Sequence, residues 1–497
     1  MPGVADWATM SETAQPTGVV IPTVDGAPST SALGRGVVAD ALRAVNPEWA
    51  RDAERTTDWR GGYLRHFHRL VEAGLPSREA ALTVAADGLT GLRSRMRYRH
   101  RPGDEEQPLD AAFDAPAGAP LRTVTVTGSG EVRRDLVVPY RGERLQGASL
   151  DRQLDRWVDG GVVERSCADA VRTVAANPDW LALPGRPVVV LGAGAEMGPL
   201  TALLRWGADV VAVDLPRPAI WQRLLETAHR HGGRLHVPVA DGDGDLARRA
   251  GADLLHDLRR VTGWLGEVGG APVLGNYVYA DGPLNVRVAT AVDALTVRLR
   301  AARPDVALAF LATPTDVFAV PDDAVDEATR RYATATGIGR LRRPLRALSG
   351  GRLLAPNYPA GRYPGVNDSL VPQQGPNYAL AKRLQRWRAA HERAAGATVS
   401  LTVAPATRTR SVLKNRLLAA AYAGAHRFGI EIFEPATSNT LMAALLVHDL
   451  HVPRPAGTHP WQEEAYAAAH GGLWRQAYAP RSALGLAVLL GIGAARG

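Results

Sequence analysis

The run Pro187-Val188-Val189-Val190-Leu191-Gly192-Ala193-Gly194-Ala195-Glu196-Met197-Gly198 decides the fold. Its apolar, β-branched opening reads as a strand buried on both faces. The glycines that follow permit a tight turn and a close backbone approach to a pyrophosphate. A helix over 198–206 comes next, and its N-terminus supplies free N–H groups. A second strand, Asp209 to Val213, then ends in Asp214. A carboxylate about 20 residues beyond the turn can accept hydrogen bonds from both ribose hydroxyls. This context predicts a nucleotide site on Gly192, Gly194, Met197, Gly198 and Asp214. The same turn suits S-adenosylmethionine, so the region specifies an adenosine-containing cofactor better than it specifies hydride transfer.

Outward from this turn, buried-type strands alternate with helices. Strands are expected at Leu235–Val239, Ala271–Tyr277, Val306–Leu311 and Thr398–Val403. Helices are expected at Ala219–His231, Leu246–Leu265, Val286–Ala302 and Tyr378–Ala394. The alternation predicts an α/β chain with a Rossmann-type, doubly wound parallel sheet over 185–440 and an insertion at about 316–375. Residues 1–30, rich in Pro, Thr, Ser and Gly, read as a mobile arm. Residues 31–184 read as a mostly helical N-terminal domain. Within it, Leu121–Tyr140 alternates around Gly128-Ser129-Gly130 and reads as a β-hairpin. Residues 441–497 read as a helical extension, in which Ala483–Ala495 suits a core or a subunit interface, and a homo-oligomer is expected.

The composition excludes several classes. The 497 residues are 46% hydrophobic and carry one cysteine, Cys167, so neither a disordered chain nor a disulfide scaffold is expected. Cys167 reads as a small buried apolar residue. No run reaches the ~18 apolar residues of a membrane span, and no secretory leader is recognisable, so a cytoplasmic protein is expected. The net charge of +8 comes from scattered arginines, which does not suggest a nucleic-acid partner. No metal site is expected. His66 and His68 lie on different faces of one helix and read as solvent-facing, and His448, Asp449 and His451 lack a fourth ligand.

Of the 58 basic residues only Lys382 and Lys414 are lysines. Where a cation alone suffices this chain writes Arg, so a lysine marks a place where Arg would not fit. Lys382 lies four residues after Tyr378, on one face of a helix that opens at Gly375-Pro376-Asn377. An ammonium beside a phenol lowers its pKa from ~10 and lets it exchange a proton with an alcohol or carbonyl.

With Tyr-x-x-x-Lys matched by Tyr378 and Lys382, the chain resembles the short-chain dehydrogenase/reductase family over roughly Gly185 to Phe433. The resemblance implies an NAD(P)-dependent oxidoreductase acting on a small-molecule or acyl-type carbonyl/alcohol substrate. NAD is favoured by Asp214, while Arg217 leaves NADP open. It also implies that Asp241 meets the adenine, that Asn276 lies in the turn after the fourth strand, and that Thr409 follows the sixth. The family serine falls on Thr313, with Ser369 as its rival. The glycine spacing, the serine and the helix-four asparagine depart from the family pattern. Two rival readings therefore stand, a class I S-adenosylmethionine-dependent methyltransferase and a non-catalytic nucleotide-binding protein. Thr313 and Tyr378 are 65 residues apart. The intervening segment, with Arg340, Arg342, Arg343 and Arg346, reads either as a lid or clamp for an anionic substrate or as a solvated basic loop.

Overall fold

In a computed structural model, residues 16–115, 118–334, 342–455 and 457–492 are described. A seven-stranded, mostly parallel sheet is formed by β1 (Arg122–Thr127), β2 (Val188–Leu191), β3 (Asp209–Val213), β4 (Arg234–Val239), β5 (Val273–Asn276), β6 (Ala307–Ala312) and β7 (Val399–Val403). The strand order is β7-β6-β5-β2-β3-β4-β1, and only β1 runs antiparallel, along the outer edge of β4. The six parallel strands are those expected from the alternation. The chain is thus mixed α/β.

Strand geometry explains the apolar runs. Successive side chains point to opposite faces, and both faces are covered. Val188, Val190, Val210, Ala212, Leu235 and Val237 enter one core, together with helices Arg165–Ala175, Leu200–Trp206 and Pro435–His451. Val189, Leu191, Val211, Val213, Leu308 and Phe310 enter the other. Helices α1 (Pro283–Ala302) and α2 (Gly375–Ala394) cover that second face. The N-terminal helices Thr30–Arg43, Trp59–Gly74 and Arg78–Arg95 join the same core, with Gly88 pressed against the ring of Trp387 on α2.

Several expectations are corrected. Leu121–Tyr140 is not a hairpin: Arg122–Thr127 pairs with β4, and Val138–Tyr140 pairs with Glu143–Leu145. The described part of the expected arm is anchored. Gly18–Val20 pairs with Arg97–Arg99, Val19 and Val20 are fully buried, and Arg287 donates to the carbonyls of Thr17 and Val19. Residues 1–15 lie outside the described residues. The expected helix 246–265 is split into Leu246–Arg249 and Leu258–Gly266. His66 is buried and stacks on Trp59 rather than facing solvent, and burial pushes it down to about 4. His68 is half-buried and pairs with Asp368 at 3.1 Å. Cys167 is buried as expected, its thiol pushed up to about 12 by burial.

The insertion is built rather than loop-like. Val317–Val320 and Gly365–Asp368 pair antiparallel, and Phe318 packs against Trp474. Arg342, Arg343 and Arg346 belong to a short helix rather than a bare loop and are not among the residues lining the cavity described below; Arg340 lies outside the described residues. At the C-terminal end, α3 (Arg416–Ala425) packs on α4 (Pro480–Gly491). Part of the expected 483–495 helix thus forms, and 493–497 lie outside the described residues. No helix among the described residues is long and apolar enough to cross a membrane.

Candidate functional site

The carboxyl ends of five of the six parallel strands, and the segment Ala252–Leu255 that follows β4, open into one cavity of about 1700 Å³. Crevices at this end of an open α/β sheet are where ligands bind. Each strand contributes a chemically distinct group: the glycine turn after β2, Asp214 after β3, Asp253 after β4, Asn276 at the end of β5, Thr313 after β6, and Pro405–Thr407 after β7.

At the glycine turn, Gly192 has φ +79°, a left-handed conformation that glycine adopts without strain. A Cβ there would lie 3.0 Å from the Tyr277 carbonyl oxygen, so no side chain fits between the turn and the end of β5. The carboxylate of Asp214 accepts from the Gly194 N–H at 2.7 Å and the Leu215 N–H at 2.8 Å. Burial raises its pKa, opposed by those two hydrogen bonds and by Arg223 and Arg217. Gly194 and Met197 line the cavity. Gly198 does not; it closes the turn by donating to Ala195 at 3.1 Å. The helix that follows begins at Leu200 and spans only seven residues.

Asp241 is not at the cavity. It is solvent-exposed and paired with Arg122 on the edge strand at 2.9 Å. After β4 the chain doubles back through Gly251, at φ +110°, and Ala252 donates to the Asp214 carbonyl at 2.9 Å. Asp253 thereby lines the cavity, whereas Asp241 does not.

Thr313 and Tyr378, 65 residues apart in sequence, meet on the opposite wall. A buried carboxylate holds their elements together. Asp316, just beyond Thr313, pairs with Arg383 and Arg386 of α2, each at 2.7 Å. Burial alone would raise its pKa, but the two guanidiniums hold it below the usual carboxylate range. Ser369 is 1% exposed and donates its hydroxyl to Asn367 Oδ1 at 2.5 Å. Of the two candidates, Thr313 is the one the fold brings to Tyr378.

The electrostatics differ from expectation at one point. Burial raises the Tyr378 phenol, and the Thr313 hydroxyl only partly opposes that. Lys382 does not lower it. Its ammonium donates to the Leu311 carbonyl and to Gln385 Oε1, each at 3.3 Å. Burial pushes Lys382 down to about 8, with Asp316 opposing. The group poised near neutrality is therefore the lysine.

Several lining residues were not anticipated. The ring of Tyr279 meets that of Tyr378 edge-on at 6.2 Å between centroids, and its hydroxyl donates to Asp281 at 2.7 Å. Tyr422 of α3 approaches from another side, its phenol raised by burial and by Tyr378. Thr409 lines the cavity, its hydroxyl 2.9 Å from that of Ser411. Lys414 lines it as well, so both lysines of an arginine-rich chain face one cavity. Their rarity was the signal that could have found Lys414. Tyr422 carries no local sequence signal, because only tertiary packing brings α3 over the sheet. Compared with known proteins, the chain matches no family model and no curated sequence.

Proposed function

We propose that the protein is an NAD(P)-dependent oxidoreductase that interconverts an alcohol and a carbonyl, on a Rossmann-type sheet of the short-chain dehydrogenase/reductase kind. Read from β4 to β7, the parallel strands follow the 3-2-1-4-5-6 order of dinucleotide folds, and the cavity lies at the switch point between β2 and β5. The observation that carries the activity is the convergence of Tyr378, Thr313 and Lys382 on the cavity that also holds the glycine turn and Asp214.

The residues fit such a cofactor. Gly192, in its left-handed conformation, packs the turn against the end of β5 and brings its backbone to the cavity wall. Asp214 has spare acceptor capacity, since an ionised carboxylate accepts about four hydrogen bonds and two are used here. Asp214 and Asn276 would hold the adenosine and nicotinamide ends, with Lys382 on the second ribose. Arg217 and Arg223 beside Asp214 suit the 2′-phosphate of NADP. NAD(P) supplies the hydride acceptor or donor when bound. On reduction Tyr378, kept protonated by burial, would give its phenol proton to the substrate oxygen, which Thr313 orients; in the oxidative direction the phenol must first ionise to take that proton back.

A second reading, an S-adenosylmethionine-dependent methyltransferase, uses the same glycine turn and Asp214 and needs no proton transfer from the raised Tyr378 phenol. The test is turnover of NAD(P) with a panel of alcohols and carbonyls by the parent and by Tyr378→Phe. A loss of ~10²-fold or more in the variant, with cofactor affinity kept, supports the oxidoreductase. Equal turnover in both removes Tyr378 from the chemistry.

A further inference from the structure

We propose that the substrate of this site is an amphiphile, an alcohol or carbonyl headgroup carried on an apolar chain. The headgroup would lie at Tyr378 and the chain along the wall formed by α3 and α4. The headgroup chemistry rests on the oxidoreductase reading, whereas the chain rests on the cavity itself.

The two ends of the cavity differ in chemistry. The end beneath the sheet carries Asp214, Asp253 and Asn276. Away from it, α3 presents Leu418, Ala421 and Ala425, and α4 presents Ala483, Leu484 and Ala487. The α3 residues recur at three- and four-residue spacing, so they form one continuous helical face. Tyr422 belongs to that face, and its phenol is raised by burial and by the nearby Tyr378. The apolar wall thus begins at the proton-transferring group.

The wall is rigid. The backbones of α3 and α4 nearly touch: a Cβ on Gly424 would lie 2.0 Å from the Ala487 carbonyl oxygen, and one on Gly491 would lie 1.9 Å from that of Ala420. The two helices therefore cannot close further over the apolar lining. Of the wall residues Ala421, Ala425, Ala483 and Ala487 are buried, while Leu418 and Leu484 are half-buried, and a ligand chain laid over those two leucines would take their remaining apolar surface out of water. The volume points the same way. About 1700 Å³ exceeds the ~300–1,000 Å³ of a typical small-molecule site, which leaves room for a chain beside a cofactor.

The experiment uses the full chain and three probes: cis-parinaric acid, a straight-chain fluorescent fatty acid; primary alcohols from butanol to decanol as competitors; and NADH. The expected result is a saturable rise in parinarate fluorescence. Displacement by the alcohols should strengthen about three- to fourfold for each added methylene. Leu484→Trp, which fills the trough, and Leu418→Asp, which charges it, should each weaken parinarate at least tenfold while leaving NADH affinity unchanged. Both positions are only half-buried, so the fold should tolerate the changes. Absence of parinarate binding to the folded parent overturns the proposal. So does an affinity that ignores chain length, or one that neither variant alters. If NADH fails to bind while parinarate binds and both variants weaken it, the oxidoreductase reading falls and the apolar-chain site stands.

Discussion

Replacing Lys382 with Met should stabilise the protein at neutral pH and lose that advantage as the pH rises. In the fold, burial pushes the ammonium down to about 8, from a reference of 10.5 when unfolded. A lysine whose folded pKa is lowered binds fewer protons when folded than when unfolded. Its charge therefore costs stability below about 8, and the cost is relieved between about 8 and 10.5. From the two pKa values the cost is roughly 3 kcal/mol at pH 7 and about 1 kcal/mol at pH 9.5. Against this, Met leaves the Leu311 carbonyl and Gln385 without their donor, a loss of about 1 kcal/mol for each. The stability of Lys382→Met relative to the parent should thus fall by about 2 kcal/mol, from about 1 kcal/mol more stable at pH 7 to less stable than the parent at pH 9.5. Urea unfolding of both proteins at several pH values measures the difference. A difference, variant minus parent, that does not change between pH 7 and 9.5, or one that rises, would refute a buried, charge-destabilised lysine.

Removing residues 1–30 should cost about 5 kcal/mol or more, because Val19, Val20 and Ile21 are lost from the core; a melting temperature unchanged by the truncation would contradict this. Asp214→Ala should weaken NAD more than NADP, and should also lower stability by about 1–2 kcal/mol because Gly194 and Leu215 lose their acceptor. Equal loss for both cofactors, read by calorimetric titration, would remove its ribose role. Thr313→Val should reduce turnover by ~10²-fold and move the pH profile alkaline, since the threonine opposes the rise of the Tyr378 phenol. Ser369→Ala should leave turnover near that of the parent; the reverse ranking would show that the wrong hydroxyl has been assigned.

The parallel sheet was legible because strands buried on both faces must be written as short apolar runs, and Val188–Leu191 leading into Gly192 is such a run. The antiparallel edge was not legible. Alternation in Arg122–Thr127 marks a half-buried strand but does not name its partner. Gly128 and Gly130 suggested a hairpin turn, yet they are small for another reason: a Cβ on Gly128 would lie 1.7 Å from the His231 carbonyl oxygen, so the chain there presses against a helix end. The glycine turn, Asp214, Tyr378 and Lys382, all of which line the cavity, stood out in the sequence by residue type and order, whereas Thr313 could not be told there from Ser369. Asp253 did not stand out, because Asp241 is nearer to the strand end and only the turn at Gly251 decides which carboxylate reaches the cavity. The direction of the Tyr378 shift was also missed. Four-residue spacing puts a lysine and a tyrosine on one helix face, but it does not stop the ammonium from turning to a strand carbonyl.

The most direct test of the central claim is a titration of the full chain with NADH and, separately, with S-adenosylmethionine, followed by tryptophan fluorescence and calorimetry. The oxidoreductase reading predicts saturable, one-to-one binding of NADH that Asp214→Ala weakens at least tenfold, with S-adenosylmethionine not competing. Saturation by S-adenosylmethionine with no response to NADH or NADPH would contradict it.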